Sequence, residues 1–123
     1  MKKIVLLLVA LFMFCNISRA EAIYPYDITV KDAYYFKNTN FHSLSNEEID
    51  NRLSITSYYL GVTDTVANFH SENKEEFKCI ARPVAIWFDI IFEDYRQNKI
   101  QGTDYFYTIY IDTIYRICNI KHK

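Results

Sequence analysis

An all-α fold, a small bundle containing an antiparallel helical hairpin closed by one disulfide, is what this sequence predicts. Three observations carry the prediction. Apolar residues recur at helical spacing in three long segments. Two glycines and two prolines leave little material for the tight turns of β-hairpins. Two cysteines, Cys79 and Cys118, fall near the two ends of the last pair of predicted helices.

The chain opens with a leader. Lys2 and Lys3 are followed by an apolar run from Ile4 to Phe14, and Ser18-Arg19-Ala20 forms a small-x-small cleavage site before Glu21. The run falls short of the ~20 apolar residues a spanning helix needs, so residues 1–20 are expected to be a cleavable signal peptide. A lipid anchor on Cys15 is disfavoured because Phe14 occupies the position where a small residue belongs. Without Lys2, Lys3 and Arg19 the mature charge is 11 − 15 = −4, and no nucleic-acid partner is expected. The expected mature protein has no membrane segment and resides in the periplasm. All 11 tyrosines lie in the mature part. They can stand in for leucine in the core or mark a binding surface.

Residues 21–44 form the least regular stretch. Ile28, Val30, Tyr34 and Phe36 alternate loosely, yet no second strand is available to pair with them, which leaves an N-terminal arm or a short helix on the core. Residues 45–123 constitute the helical domain. Ser45-Asn46-Glu47-Glu48 fits a capping box and starts a first helix predicted to run to Phe69. Its apolar residues fall into two stripes, Ile49, Leu53, Leu60 and Ala67, and Ile55, Tyr59, Val62, Val66 and Phe69, which predicts neighbours on two sides. Gly61 costs a helix about 1 kcal/mol relative to alanine, and is read either as a point of close backbone approach or as a tolerated surface glycine.

The polar segment from His70 to Lys78 reads as a solvated loop. Pro83 suits the first position of a second helix reaching Asn98, with Val84, Trp87, Phe88, Ile91 and Tyr95 on one face. After a turn over residues 97–102, Thr103 is the expected cap of a third helix ending near Ile120. Phe106, Ile109, Tyr110, Thr113 and Ile117 form its inner stripe, continuous with Tyr107, Ile111, Ile114 and Cys118, while Asp112 and Arg116 are expected to pair on the outside. Two helices of about 16 residues each, roughly 24 Å long, joined by a short turn, run antiparallel. Cys79 and Cys118 then meet at one end, and a disulfide there is worth roughly 4 kcal/mol.

Catalytic and metal-binding signatures are not found. His70, Glu72, Glu75, Glu76 and Cys79 crowd one segment, but their spacing fits no zinc or calcium site, so no metal or other cofactor is expected. Asp89, Glu93 and Arg96 share the face opposite Trp87 and Ile91, as a solvated surface does, rather than presenting a glycosidase pair. No nucleophile elbow, His-Glu-x-x-His or phosphate loop is present, and a non-enzymatic role is expected.

Tyr58-Tyr59-Leu60-Gly61-Val62-Thr63-Asp64, then Phe77-Lys78-Cys79, Pro83 and the cysteine at 118 resemble the Rap1a/Tai family of exported immunity proteins over about residues 50–120. Such sequences carry an aromatic followed by x-Gly-Val-x-Asp, a Phe-Cys-x-Pro stretch and a closing Pro-Cys. Here Lys78 separates Phe77 from Cys79, three residues separate Cys79 from Pro83, and Ile117 precedes Cys118. The resemblance implies a small all-helical periplasmic protein with an intramolecular disulfide, often a homodimer, that neutralises a type VI secretion effector such as a cell-wall amidase. For such an inhibitor the candidate contact surfaces are the acidic loop with Ser71, Glu72, Asn73, Glu75 and Glu76, and the outer face of the third helix with Tyr105, Thr108, Tyr115 and Arg116. A small helical stress chaperone that exposes apolar surface in acid is the alternative reading.

Overall fold

The computed structural model describes residues 24–121, and the architecture is all-α. The leader, its cleavage site and Cys15 lie outside the described residues. Five α-helices follow one another among them: α1 (Val30–Asn38), α2 (Asn46–His70), α3 (Lys74–Ile80), α4 (Val84–Arg96) and α5 (Phe106–Ile117), with one 3₁₀ turn at Phe41–Ser43. None of these is long and apolar enough to cross a membrane.

The segment before the capping box resolves into a helix. Thr29 caps α1 by accepting from the Asp32 amide at 3.3 Å. The first amides of α1 are satisfied across the molecule: Val30 N donates to the Asp104 carbonyl at 2.9 Å and Lys31 N to that of Gly102 at 3.0 Å. In return Phe106 N donates to the Ile28 carbonyl at 2.9 Å, so the starts of α1 and α5 are tied together. This exchange displaces the expected Thr103 cap. Tyr105 occupies the cap position without a side-chain bond, and the mutual backbone pairing supplies the partner instead.

Helix α2 begins as expected, with Ser45 accepting from Glu48 N and its own amide donating to Glu48 Oε1. Tyr35 of α1 donates to Glu48 Oε2 at 2.9 Å, and this bond holds the Glu48 carboxyl below its ordinary range. The second stripe supplies most of the core, with Ile55, Tyr59 and Val66 buried beside Thr63 and Val62 half-buried, but its last residue, Phe69, is exposed; of the first stripe only Ala67 is buried. Leu53 and Leu60 stay more than half exposed. The element that follows explains why. Residues 71–83 form no long loop or return helix but the seven-residue α3, roughly 10 Å long, which cannot cover the flank of the roughly 37 Å α2.

Helix α3 corrects the expectation of a loop over 70–78. Asn73 caps it by accepting from Glu76 N at 2.8 Å, Glu75 and Glu76 fill its first turn, and Lys78 its last, a charge order that complements the helix dipole. Cys79 therefore sits within a helix. Its disulfide to Cys118, with Cα atoms 5.8 Å apart, fastens α3 to the C-terminus of α5.

Both hairpin helices end alike. Asn98 follows α4 and Asn119 follows α5 with φ of 57° and 53°, the left-handed conformation that asparagine tolerates. Lys99 N donates to the Asp94 carbonyl and Ile120 N to that of Tyr115, completing a Schellman closure in each case. Arg116 pairs with Asp94 at 3.3 Å across the hairpin rather than with Asp112 on its own helix. Asp89 pairs with Lys37, and Glu93 with Arg96 at 2.8 Å, on the exposed face of α4.

The core is aromatic. Tyr59, Phe88, Phe92, Phe106 and Tyr110 form one cluster in which Tyr59 lies 4.9 Å from Phe106 edge-on and 4.7 Å from Tyr110. Edge-to-face contacts at these distances add ~0.5–1.5 kcal/mol per pair beyond area burial. The polar ends of the buried rings are satisfied. Tyr59 OH donates to the Pro25 carbonyl at 2.9 Å and Trp87 Nε1 to that of Ile80 at 3.1 Å. Burial raises the Tyr59 hydroxyl far above its ordinary value and pushes that of Tyr110 up to about 12.

Of the two readings of Gly61, the structure selects the surface glycine: a Cβ there would meet nothing within 4 Å. A Cβ on Gly102 would sit 3.1 Å from Tyr95 Oη and 3.2 Å from Lys31 Cβ, so the close approach is made in the turn between α4 and α5.

Candidate protein-binding surface

Two of the residue groups expected to meet a partner are brought together by the fold. Ser71 ends α2, its hydroxyl donating to the Ala67 carbonyl. Glu72 N donates to Glu76 Oε1 at 3.4 Å across the first turn of α3. The C-terminal turn of α5 carries Tyr115 to the same place, its ring 6.3 Å from that of His70. Ser71, Glu72 and Glu76 thus share one cleft of about 300 Å³ with Phe69, His70 and Tyr115.

Other expected contact residues stand apart. Tyr105 is exposed but begins α5, about 15 Å along the helix from Tyr115. Asn73 spends its side chain on the α3 cap, and Glu75 faces solvent outside the cleft. Thr108 and Arg116 are exposed on α5, Arg116 being engaged with Asp94.

The cleft continues into a second concavity that the sequence did not single out. A groove of about 540 Å³ lies between α2 and α5, walled by Tyr58, Val62 and Val66 on one side and by Tyr107, Ile111 and Tyr115 on the other. His70 and Tyr115 border both depressions, so they form one strip running from the Tyr58–Tyr107 pair, 6.4 Å apart, to the acidic start of α3. Gly61 lies in the groove, where its missing side chain widens it. The available signal was Gly61 itself: a residue unfavourable in a helix, placed between two apolar stripes.

Chemically the strip offers aromatic faces, hydroxyls and carboxylates. Burial raises the Tyr58 hydroxyl above its ordinary value, so it acts as a neutral hydrogen-bonding group. No group of three or more His, Cys, Asp or Glu among the described residues is arranged to hold a metal ion. The arrangement suits recognition: apolar and aromatic at its centre, polar and charged at its end.

No family model, no curated protein and no solved structure matches this chain.

Proposed function

We propose that this protein is an exported immunity-type inhibitor, acting in the periplasm, that binds a cell-wall amidase delivered by type VI secretion and blocks its active-site cleft. The observation that carries the reading is the continuous strip from Tyr58 and Tyr107 to Glu72 and Glu76. Aromatic side chains at the centre of an interface supply most of its affinity, and an acidic end gives it direction and on-rate toward a basic cleft. Tyr58, Gly61 and Val62 belong to the sequence motif of the Rap1a/Tai resemblance, and all three line this strip. The disulfide and the aromatic core hold its two walls in place, which lowers the ordering cost of binding.

The test is protection of a sensitive strain that expresses the chain in its periplasm and is challenged with an amidase encoded beside it. Protection with 1:1 binding is expected. Tyr107→Ala and Gly61→Arg, both at exposed positions, should each weaken binding by about thirtyfold, the ~2 kcal/mol of a hot-spot residue, while leaving the melting transition cooperative. Absence of both binding and protection would overturn the reading. Suppression of client aggregation at about pH 2 to 3 would then select the stress chaperone, in which protonated carboxylates loosen the packed state.

A further inference from the structure

The turn that leads into α1 carries tyrosines that neither the core nor the strip absorbs. Tyr24 and Tyr26 are 60 % and 56 % exposed, and their ring centroids lie 5.8 Å apart with the planes inclined at 38°. Two bonds from the folded body fix this turn: Tyr59 OH donates to the Pro25 carbonyl and Phe106 N to that of Ile28, each at 2.9 Å. The turn is thereby held at the end of the strip where Tyr58 and Tyr107 stand 6.4 Å apart, inclined at 57°. Burial raises the Tyr58 hydroxyl, and the hydroxyls of Tyr107 and Tyr26 raise it further because they lie beside it. Ring pairs inclined in this way make a shallow cup rather than a flat stacking platform.

The charges around the cup favour a cation. Aromatic faces are negative. Asp27, the charged residue of the turn, is exposed and takes part in no ion pair among the described residues. Neither lysine nor arginine lines the adjoining groove between α2 and α5. A primary ammonium brings three N–H donors and a tightly held hydration shell, and ring faces satisfy neither. A trimethylammonium group has no N–H to satisfy, and its methyl groups bury against the same faces that attract its charge.

We propose that Tyr24, Tyr26, Tyr58 and Tyr107 form a binding site for a small quaternary ammonium compound, with Asp27 as the counter-charge in the turn. The fixed turn positions the rings before the ligand arrives, which lowers the ordering cost of binding. The site adjoins the strip but does not rest on the inhibitor reading. It is tested on the chain alone, so its failure would leave that reading untouched.

The probes are choline, its neutral isostere with carbon in place of nitrogen, and the primary amine ethanolamine, each titrated while the tyrosine ring signals are followed by NMR. Choline should shift the signals of Tyr26 and Tyr107 saturably at 1:1 in the millimolar range, about tenfold more tightly than either of the other two. Tyr26→Leu and Tyr107→Leu, both at exposed positions, keep apolar surface but remove a π face. Each should weaken choline about fivefold while leaving the isostere and the melting transition unchanged. Overturning results are the absence of saturable shifts at ~50 mM choline, equal affinities for choline and either control, or full choline binding by both leucine variants.

Discussion

Replacing Thr63 with valine should reveal what its buried hydroxyl contributes. Thr63 is 2 % exposed, and its Oγ1 lies 2.7 Å from the Tyr59 carbonyl and 2.6 Å from the hydroxyl of Tyr110, which is wholly buried. Each hydroxyl has a single proton. The carbonyl can only accept, so the Thr63 proton goes to Tyr59 and the Tyr110 proton must go to Thr63. Valine keeps the shape but removes the acceptor, leaving the Tyr110 O–H without a partner in an apolar core, at a cost of about 1–3 kcal/mol. Tyr110→Phe leaves Thr63 still bonded to the Tyr59 carbonyl and should cost only about 0.5–1.5 kcal/mol. The double variant leaves no donor stranded, so its cost should fall below the sum by about 1–2 kcal/mol. Urea unfolding of the four proteins with the disulfide intact measures the cycle, and an unchanged denaturant slope shows that the unfolded states are comparable. Additivity within about 0.3 kcal/mol, or a cost of Thr63→Val under about 0.5 kcal/mol, would refute the assigned donor direction.

Further outcomes follow from the same structure. Reducing the Cys79–Cys118 bond, which spans 39 residues of sequence, removes about 4 kcal/mol of chain-entropy stabilisation. With unfolding entropies of about 2 cal/mol/K per residue over about 100 residues, calorimetry should show the midpoint fall by about 20 °C, and a fall under about 5 °C would contradict the entropic account. Gly61→Ala should stabilise by about 0.5–1 kcal/mol, since the added methyl meets nothing in an exposed helix interior. Gly102→Ala should instead destabilise, because Tyr95 and Lys31 must move aside; equal shifts in thermal melts would contradict this contrast. The Tyr59 and Tyr110 hydroxyls are raised above their ordinary value of 10, so their neutral forms favour the folded state. That stability is fully present below pH 10 and is lost as pH rises from 10 through the Tyr110 value of about 12. Circular dichroism and tyrosinate absorbance recorded together should show two tyrosines ionising only with unfolding.

The helical signals were legible where each depends on neighbours in sequence. The capping box at Ser45 and the apolar periodicity of α4 and α5 are local, and helices form at those places. What escaped was pairing at a distance. The start of α5 could not be found from Thr103, because its amide partner is the Ile28 carbonyl, 78 residues away in sequence (106 − 28). Arg116 had two carboxylates within reach, and hairpin geometry chose Asp94 over Asp112. The charge density of α3 resembles that of a solvated loop, although Asn73 followed by an acidic first turn is itself a start signal. On the candidate surface, Ser71, Glu72, Glu76 and Tyr115 were identifiable one by one. Their union with Tyr58 and Tyr107 was not, since it depends on how α2 and α5 lie side by side.

The sequence by itself determined that this chain is all-α and that Cys79 and Cys118 close one end of a hairpin, because periodicity, capping and turn length act over a few residues and fix helix direction. Only the tertiary structure decided that, of the two stripes of α2, Ile55, Tyr59, Val66 and Ala67 became core while Leu53, Leu60 and Phe69 stayed in solvent. Both stripes are apolar at the same spacing, and burial of either is favourable in proportion to its area. The choice belongs to the elements available to cover them, and the short α3 left one flank bare while α1, α4 and α5 enclosed the other.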